Sequence, residues 1–438
     1  LDMTLEVQPN KGLGPFALGS SAYEVISYLR KESSIYTKIA LTYSSTTPLT
    51  SNLIVNLPNN GIRLRFDGPE QRLRLIEILD FQKARPTYKS TFGLVELSRG
   101  DGPPNFKKIY NNIFGATYEG EHLPSQSLYV LSYPGVAFSF PLNQWSNDIN
   151  IAAFLSSSTP LTAASMAIYS GESWTDARDN LFTGPIPTAY LASTPDEIDL
   201  VKILPSKHVE FHRRNHPPFV LNLGQTTPQD IVTELGPPSA IYRKNDHRIS
   251  IHRTRGAAGG NEDDFSDDAE SEEESSDGAV PTNEATDNDY FYNYFSQGFD
   301  IFFSSTSTRQ HVATKLILHG NVPGSYSFQR YRRSKWIVQD PAYTINSETD
   351  FPEIRTALQS SFGDGQKPML LNRGSDSPSS SIELLGSWED SETRMLGKME
   401  GVEEEDEGTN YGSTELYGYP GLIFEVLKNG AVVGVTVF

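Results

Sequence analysis

Three histidines spaced four residues apart are the first candidates for chemistry. His208, His212 and His216 lie in "KHVEFHRRNHPP", and on a helix this spacing would place all three on one face, as in some metal sites. The segment is more typical of a strand that enters a proline-rich turn, where the imidazoles do not converge. Because the chain contains 0 Cys, no thiolate completes a site. We therefore predict no metal site and no cofactor.

Other catalytic motifs are weak or missing. Gly12, Gly14 and Gly19 precede a helix, but their spacing fits neither the dinucleotide fingerprint nor a phosphate-binding loop with its Lys-Ser or Lys-Thr pair. The Gly-x-Ser-x-Gly motif of many hydrolases is absent from the sequence. Acids and bases can converge from distant parts of a chain, so an unrecognised hydrolase stays open. We predict a protein that is not an enzyme, with no catalytic residue assigned.

One basic stretch, "RYRRSKW", combines cations with aromatic side chains. It contains Arg330, Arg332, Arg333, Lys335 and Trp336. Such a patch could contact anionic lipid headgroups, an acidic protein surface or nucleic acid. The alternative is that the side chains are solvated or paired within the protein, and on a strand they would be divided between two faces. We predict these five residues as an interaction site, with internal pairing as the alternative.

The formal charge of -19 is concentrated in two segments. Residues 261–289 carry 13 acids and no Lys or Arg, and residues 389–407 carry 9 acids, so the rest of the chain is close to neutral. A near-neutral core argues against general nucleic-acid binding. Both segments have too few apolar side chains to offset the entropy of ordering. We predict acidic disordered inserts at 257–289 and 387–410.

Two serines in the first insert precede acidic residues. Ser266 begins "SDDAE" and Ser271 begins "SEEE". A kinase directed by acidic residues would recognise this pattern, so we predict both as phosphorylation sites.

A degenerate repeat indicates the fold. A glycine followed by an aliphatic residue, a spacer and an aromatic residue occurs four times, at Gly61, Gly135, Gly298 and Gly421. Each copy follows an amphipathic helical pattern, and alternation such as "IRLRF" indicates strands with one buried face. The sequence therefore predicts an α+β protein with about four units of a helix plus an antiparallel hairpin or sheet. The four glycines supply a positive φ or a close backbone approach at the hairpin turns.

The first and third copies resemble each other most. "GPFALGSSAYEVISYL" and "PPFVLNLGQTTPQDIVTEL" share a Pro-Phe pair, a strand end, a glycine and a helix. This similarity predicts a duplication, with two units in residues 1–183, a junction at 184–206, and two units in 207–438. Both acidic inserts then lengthen loops of the second half.

Several of these motifs together resemble the phagosome assembly factor family. They are "GLGPFALGSSAYEVISYL", "NGIRLRFDGPEQRLRLIEI", "FGATYEGE" with "YPGVAFSFPL", "LGQTTPQDIVTELGPPSAIYRKND" and "YNYFSQGFDIFF". The resemblance spans most of the chain except the inserts, which look like a fungal-type elaboration. It implies a non-enzymatic cytoplasmic protein that acts in autophagy and pairs with a WD-repeat β-propeller protein of the breast carcinoma amplified sequence type.

The resemblance also implies how the protein reaches membranes. Recruitment to the phagophore assembly site would be indirect, through phosphoinositides that the propeller partner binds. The sequence has no apolar run of the roughly eighteen residues that a spanning helix needs, and its start lacks the features of a secretion signal. A second function class stays open, in which paired sheets enclose an apolar cavity and the protein carries a lipid or another small ligand.

Overall fold

The computed structural model describes residues 5–90, 93–98, 102–142, 151–187, 190, 197–205, 208–243, 289–305, 310–363, 367–372 and 413–438. The helices in these ranges are α1 Ala22–Lys31, α2 Phe81–Ala84, α3 Phe106–Lys108, α4 Ile151–Ser156, α5 Trp174–Ala177, α6 Pro228–Leu235 and α7 Phe351–Phe362. Helix α3 continues directly as a π-helical turn, Ile109–Ile113.

The strands within the described ranges form two sets of thirteen. The first set is β1 Leu5–Gln8, β2 Gly12–Leu13, β3 Phe16–Ala17, β4 Ala40–Thr42, β5 Leu53–Leu57, β6 Ile62–Phe66, β7 Leu73–Ile78, β8 Pro86–Ser90, β9 Gly93–Glu96, β10 Glu121–Leu123, β11 Leu128–Tyr133, β12 Val136–Pro141 and β13 Ser165–Ile168. The second set is β14 Ile198–Leu204, β15 His208–Arg213, β16 Phe219–Asn222, β17 Ala240–Arg243, β18 Tyr290–Tyr294, β19 Phe299–Ser305, β20 His311–His319, β21 Trp336–Gln339, β22 Thr344–Asn346, β23 Met369–Asn372, β24 Ser413–Tyr419, β25 Leu422–Val426 and β26 Val432–Val437.

The two sets of strands have the same topology. Each half forms an eight-stranded sheet, in the order β10-β11-β12-β13-β7-β6-β5-β4 in the first half and β23-β24-β25-β26-β20-β19-β18-β17 in the second. Each half also forms a five-stranded sheet, β3-β2-β1-β8-β9 and β16-β15-β14-β21-β22. Adding thirteen to every strand number of the first half gives the second. The α+β prediction is confirmed, and the sequence repeat corresponds to this repeated topology.

Each eight-stranded sheet is built from two units of a helix and a four-stranded meander. Helix α1 precedes β4–β7 and α3 precedes β10–β13, while α6 and α7 precede the corresponding meanders of the second half. Local chemistry fixes where these helices begin. Ser21 caps α1 and Thr227 caps α6, each in a capping box with an acid three residues later. These are the four units that the sequence predicts.

One hydrophobic core fills each half. In the first, Val7 of the five-stranded sheet, Ile26 of α1 and Phe138 of the eight-stranded sheet belong to the same cluster of buried side chains. In the second half, Phe211 of the five-stranded sheet packs against Phe299 of the eight-stranded sheet, with ring centroids 5.0 Å apart. Burial of large apolar side chains contributes about 1.5–3 kcal/mol each, so both cores stabilise their half substantially.

The five-stranded sheets contain the parallel pairs of the fold. Strand β1 pairs with β8, and β14 pairs with β21 in the same way. Strand β14 lies within the range predicted as the junction, 184–206, and contributes the central strand of the second five-stranded sheet.

Both acidic inserts fall almost entirely outside the described residues, but the strands on either side of them are described. Strand β17 ends at Arg243, which pairs with Tyr290 at the start of β18. Strand β23 ends at Asn372, which pairs with Ser413 at the start of β24. Each insert therefore connects the first and second strands of a meander, at equivalent positions in the third and fourth units. Among the described helices, none is both long and apolar enough to cross a membrane.

Candidate functional site

The predicted interaction stretch lies at the contact between the two halves. Arg332 and Arg333 are each 4% exposed and Trp336 is 2% exposed. The chain is not a strand through the basic residues, because β21 begins only at Trp336. Trp336 packs in the core of the second half, with its ring 6.2 Å from that of Phe424.

The buried carboxylate of Glu197 lies close to arginine side chains from both halves. Its Oε2 atom lies 2.8 Å from Arg72 Nη2, 3.1 Å from Arg332 Nη1 and 3.6 Å from Arg214 Nη2. The hydroxyl of Tyr190 lies 3.2 Å from Oε1 of Glu197 and 3.0 Å from Oε2 of Glu24, so its one proton is shared between the two carboxylates. Arg72 belongs to the first half and Arg332 to the second, so this carboxylate links them.

The cations of this cluster determine the ionisation of Glu197. Burial by itself raises the pKa of the carboxyl group, but the guanidinium groups of Arg332 and Arg72 outweigh it, and the pKa lies below its ordinary range. Burial, together with the positive charge of nearby Arg72, lowers the pKa of Arg332, and the charge of Glu197 only partly offsets this. The cluster holds a charged carboxylate at neutral pH.

Arg333 uses backbone carbonyls instead of a carboxylate. Its Nη1 donates to the carbonyl oxygens of Leu49 and Gly68, both at 3.2 Å, and its Nη2 donates to Ser347 O at 3.2 Å. Burial lowers the pKa of Arg333 to about 10, so the group remains charged at neutral pH. One side chain of the second half thus binds two backbone segments of the first.

Lys335 and Arg330 are the more accessible cations of the stretch. Lys335 is 32% exposed, and its Nζ lies 2.9 Å from Glu70 Oε1 and 3.8 Å from Glu348 Oε1. The guanidinium of Arg330 lies 4.5 Å from the ring centroid of Tyr326. Lys335 therefore also bridges the halves, because Glu70 belongs to the first.

Neutral contacts complete the junction between the halves. Gln71 and Asn321 exchange two hydrogen bonds, at 2.8 Å and 2.7 Å, and both residues are 2% exposed. Beside them Leu49 packs against Val322 and Val433 in a small apolar cluster. Buried and mutually satisfied groups of this kind join the halves into one folded unit.

The structure thus places most of the predicted interaction residues inside the protein. Arg332 and Arg333 make their contacts within the protein, as in the alternative prediction of internal pairing, and Trp336 is a core residue. Only Arg330 and Lys335 remain partly accessible among the five. A cationic surface built from the whole stretch is therefore not present in this conformation.

The four predicted glycines occupy one equivalent position in the four units. Gly61, Gly135, Gly298 and Gly421 lie between the second and third strands of their meanders, with φ of 67°, 78°, 88° and 78°. A Cβ atom at Gly135 would overlap the backbone of Asn10, whereas at Gly421 its nearest neighbour would be Phe438 O at 3.6 Å. A side chain would therefore meet both a positive φ and a close backbone neighbour at Gly135, but only the positive φ at Gly421.

The three histidines do not form a site. His208 and His212 lie on β15 and His216 in the turn that follows, and the Nε2 of His212 lies 3.0 Å from Glu210 Oε2. Within the described ranges, no group of three or more His, Cys, Asp or Glu side chains is placed to hold a metal ion. The predicted phosphorylation sites Ser266 and Ser271 lie outside the described residues.

A cavity of about 810 Å³ opens beside α6 and the β15–β16 turn. Its lining includes Arg213, His216, Phe219 and Glu234. Arg213 donates to Glu234 Oε2 at 3.1 Å and to Pro217 O at 2.7 Å, so its guanidinium is held by the protein.

Sequence reasoning missed the residues that join the halves. Arg72 and Glu197 are separated by 125 residues, and although Arg72 lies in the stretch "NGIRLRFDGPEQRLRLIEI", no local pattern links it to Glu197. The one available signal was the position of Arg72 and Gln71 beside a strongly apolar strand, "LRLIEI", where charged side chains need a buried partner.

Comparison with known proteins identifies the family. The family model described as "Phagosome assembly factor 1" matches residues 12–266 and 275–438. The chain belongs to the phagosome assembly factor family. The resemblance seen in the sequence is confirmed, and membership in a family named for phagosome assembly supports a role related to autophagy.

Relatives of this phagosome assembly factor in plants and animals align with it over nearly its whole length. A PHAF1 protein of Arabidopsis thaliana is 28% identical over 451 residues, 99% of this chain and 92% of the relative. A PHAF1 protein of Drosophila melanogaster is 24% identical, over 100% of this chain and 94% of the relative. One from Caenorhabditis elegans is 24% identical, over 99% and 93%. No solved structure gives a significant match to the chain.

Proposed function

We propose that this chain is a non-catalytic interaction subunit that acts in autophagy. In this proposal it is cytoplasmic, binds a WD-repeat β-propeller protein of the breast carcinoma amplified sequence type, and reaches the phagophore assembly site through that partner. Membership in the phagosome assembly factor family carries the proposal, because the family is named as an assembly factor rather than for a reaction.

The burial of the basic stretch supports indirect recruitment. Arg332 and Arg333 are committed to Glu197 and to backbone carbonyls, which leaves Arg330 and Lys335 as the partly accessible cations of the stretch. Each cation near an anionic membrane contributes about 1 kcal/mol. Two such contributions do not hold a protein at a membrane, so the phosphoinositides would be bound by the partner.

A lipid or small-ligand carrier is the second function class, and the packing of the sheets supports it less. The side chains of Phe66, Phe138 and Phe303 are fully buried between the sheets of their halves and occupy space that an apolar ligand would need. Native mass spectrometry of protein purified from its own cell distinguishes the classes. A stoichiometric protein partner supports the interaction subunit, and a retained lipid supports the carrier.

Recruitment in starved cells tests the proposal directly. Deleting the propeller partner is expected to abolish the puncta of this protein, whereas Arg330→Gln with Lys335→Gln only weakens them. This pair is chosen because substituting the buried Arg332 or Arg333 would disturb the fold as well as the charge. Tight binding of the purified protein to phosphoinositide vesicles without a partner, lost in the double variant, would overturn indirect recruitment.

A further inference from the structure

The duplication shows what the first half places where the second half has the cavity beside α6. Phe219, which lines the cavity, begins β16 and corresponds to Phe16, which begins β3. Glu234, also in the lining, corresponds to Tyr28, because each lies seven residues after the residue that caps its helix. Phe16 and Tyr28 therefore mark the equivalent place in the first half.

In the first half this place is filled by Tyr36. The centroid of its ring lies 5.7 Å from that of Phe16 and 6.1 Å from that of Tyr28, and the side chain is 1% exposed. The residue before it is held by its backbone, since Asn60 Nδ2 donates to Ile35 O at 3.2 Å. We call Ile35 and Tyr36 the covering pair, because they close the hydrophobic core beside α1.

The connection after α6 is too short to provide such a cover. Helix α1 is joined to β4 by eight residues, 32–39, whereas α6 is joined to β17 by four, 236–239. These four residues are "GPPS" and include no aromatic side chain. Leu235 is accordingly only half-buried, whereas its counterpart Leu29 is 0% exposed. The cavity thus lies where the covering pair would be.

Gln297 supplies the polar contact that an extended peptide needs at this place. It lines the cavity and directly precedes the turn glycine of its unit, as Asn60 does in the first half. Its Oε1 atom accepts from Ile198 N at 3.2 Å, and its amide nitrogen makes no hydrogen bond to the described residues. That nitrogen is available to a peptide carbonyl, as Asn60 Nδ2 is to Ile35 O.

The charges at the cavity call for an uncharged side chain. The carboxylate of Glu234 and the guanidinium of Arg213 already pair with each other, 3.1 Å apart. Phe219 offers an aromatic surface, and aromatic rings pack favourably on one another at centroid distances of about 4.5–7 Å. The volume of about 810 Å³ lies within the usual range of ligand-binding pockets.

We propose that this cavity binds an aliphatic residue followed by an aromatic residue, on an extended segment of another protein. The aromatic ring packs against Phe219, and the carbonyl of the aliphatic residue accepts from the amide of Gln297. The covering pair of the first half is the observed precedent for both contacts. The inference goes beyond the proposed function, because it assigns a peptide site whose test does not involve the propeller partner.

The aromatic residues of the two acidic inserts fit this cavity less well. Phe265 follows Asp264, and Trp388 follows a serine and precedes Glu389, so neither comes after an aliphatic residue. Their acidic neighbours would also approach the carboxylate of Glu234, whose side chain is 44% exposed. Like charges brought together in this way are unfavourable. A segment of another protein is therefore the occupant that the chemistry favours.

A synthetic peptide of this chain's own residues 33–39, "SSIYTKI", is the probe, because it contains the covering pair. It is expected to bind the purified full-length chain saturably. The same peptide with Tyr36→Ala is expected to bind at least about tenfold more weakly, since the ring is the group that the cavity buries. Fluorescence anisotropy of the labelled peptides measures both affinities.

Two matched variants of the protein locate the binding. Glu234→Tyr gives the second half the residue that the first half has at Tyr28, and is expected to tighten binding severalfold, because its ring adds to the wall beside Phe219. Gln229→Tyr is the control. It copies Tyr23 in the same way, but Gln229 is exposed and lies outside the lining, so affinity should not change. A gain in affinity cannot result from misfolding.

A graft closes the cavity from within the chain. Replacing residues 236–239 by the sequence of 32–39 places the covering pair in the second half and is expected to abolish binding of the probe peptide. A chain in which 257–289 and 387–410 are each replaced by a Gly/Ser linker is expected to bind the probe with unchanged affinity.

The outcomes separate the alternatives. Absence of saturable binding, equal affinity for the two peptides, or unchanged or lower affinity in Glu234→Tyr overturns the inference and leaves the proposed function intact. Affinity at least tenfold higher in the chain with both linkers assigns the cavity to this chain's own inserts and overturns the choice of another protein. Loss of the propeller interaction from the proposed function would leave the peptide results standing.

Discussion

Glu197 Oε2 lies 3.1 Å from Arg332 Nη1, and the same oxygen lies 2.8 Å from Arg72 Nη2. One carboxylate oxygen thus joins a cation from each half of a duplicated fold. The arrangement explains why a cationic stretch that looks like a surface site is buried instead. It also makes the junction between the halves sensitive to one side chain.

Replacing Glu197 by Gln is expected to destabilise the protein strongly. The substitution preserves shape but leaves the guanidinium groups of Arg72, Arg332 and Arg214 without their shared carboxylate. Breaking a buried ion pair in this way costs about 3–5 kcal/mol, measured as the free energy of unfolding in denaturant. Asp199→Asn is the control, because Asp199 is 42% exposed and its pair with Arg214 is expected to contribute less than about 1 kcal/mol. Equal losses in both variants would contradict the central role of Glu197.

The stabilisation by Glu197 is expected to depend on pH in the acidic range. Because the folded-state pKa is lowered, the contribution is fully present above the unfolded pKa of about 4.3 and is lost as pH falls through the folded value. The difference in unfolding free energy between wild type and Glu197→Gln should therefore be constant from about pH 6 to 8 and shrink below about pH 4. A difference that grows on acidification would show that the carboxyl group is neutral in the folded protein.

Alanine substitutions at three glycines separate backbone strain from steric overlap. Gly115, Gly135 and Gly421 have φ of 89°, 78° and 78°. Gly115→Ala and Gly421→Ala should each cost about 1–2 kcal/mol, because an L residue is strained at positive φ. Gly135→Ala should cost clearly more, since the new Cβ also overlaps the backbone of Asn10. Thermal melts of the three variants measure the order, and equal shifts would count against the close approach at Gly135.

Shortening the acidic inserts is expected to leave the melting temperature nearly unchanged or slightly higher. The flanking residues already pair across their hairpins, Arg243 with Tyr290 and Asn372 with Ser413, so a short Gly/Ser linker can join them. Replacing 261–289 or 389–407 shortens its loop roughly twofold, which lowers the entropic cost of closure by only about 0.6 kcal/mol. A fall of many degrees after replacing 261–289 or 389–407 would mean that the inserts pack on the core.

The sequence alone determined the repeating units. Helix periodicity, strand alternation and turn glycines are local signals. They predicted the α+β class, about four units of a helix plus an antiparallel hairpin or sheet, and the turn positions of Gly61, Gly135, Gly298 and Gly421. Each of these features is decided by residues within one short stretch of chain. The duplication was visible for the same reason, since "GPFALGSSAYEVISYL" and its counterpart repeat local patterns in the same order.

These local signals did not predict which distant strands pair with each other. The sequence did not show that β1 pairs in parallel with β8, or β14 with β21, because such pairs join segments that are far apart along the chain. It placed β14 in a junction for the same reason. A polar stretch near a proline-rich segment gave no sign that its strand becomes central to a sheet.

Tertiary structure decided which charged and apolar side chains meet solvent. The sequence shows that Arg332 and Arg333 are cations, but only the fold brings Glu197 and the carbonyl of Leu49 to them, and so buries them. Likewise, the alternation of β19 predicts that Phe302 and Phe303 face opposite ways, while only the packed sheets show that Phe303 fills the core of the second half and that Phe302 is buried outside that cluster, beside Phe291 and Lys315. Burial depends on what the rest of the chain places against a residue, and a local pattern does not contain that information.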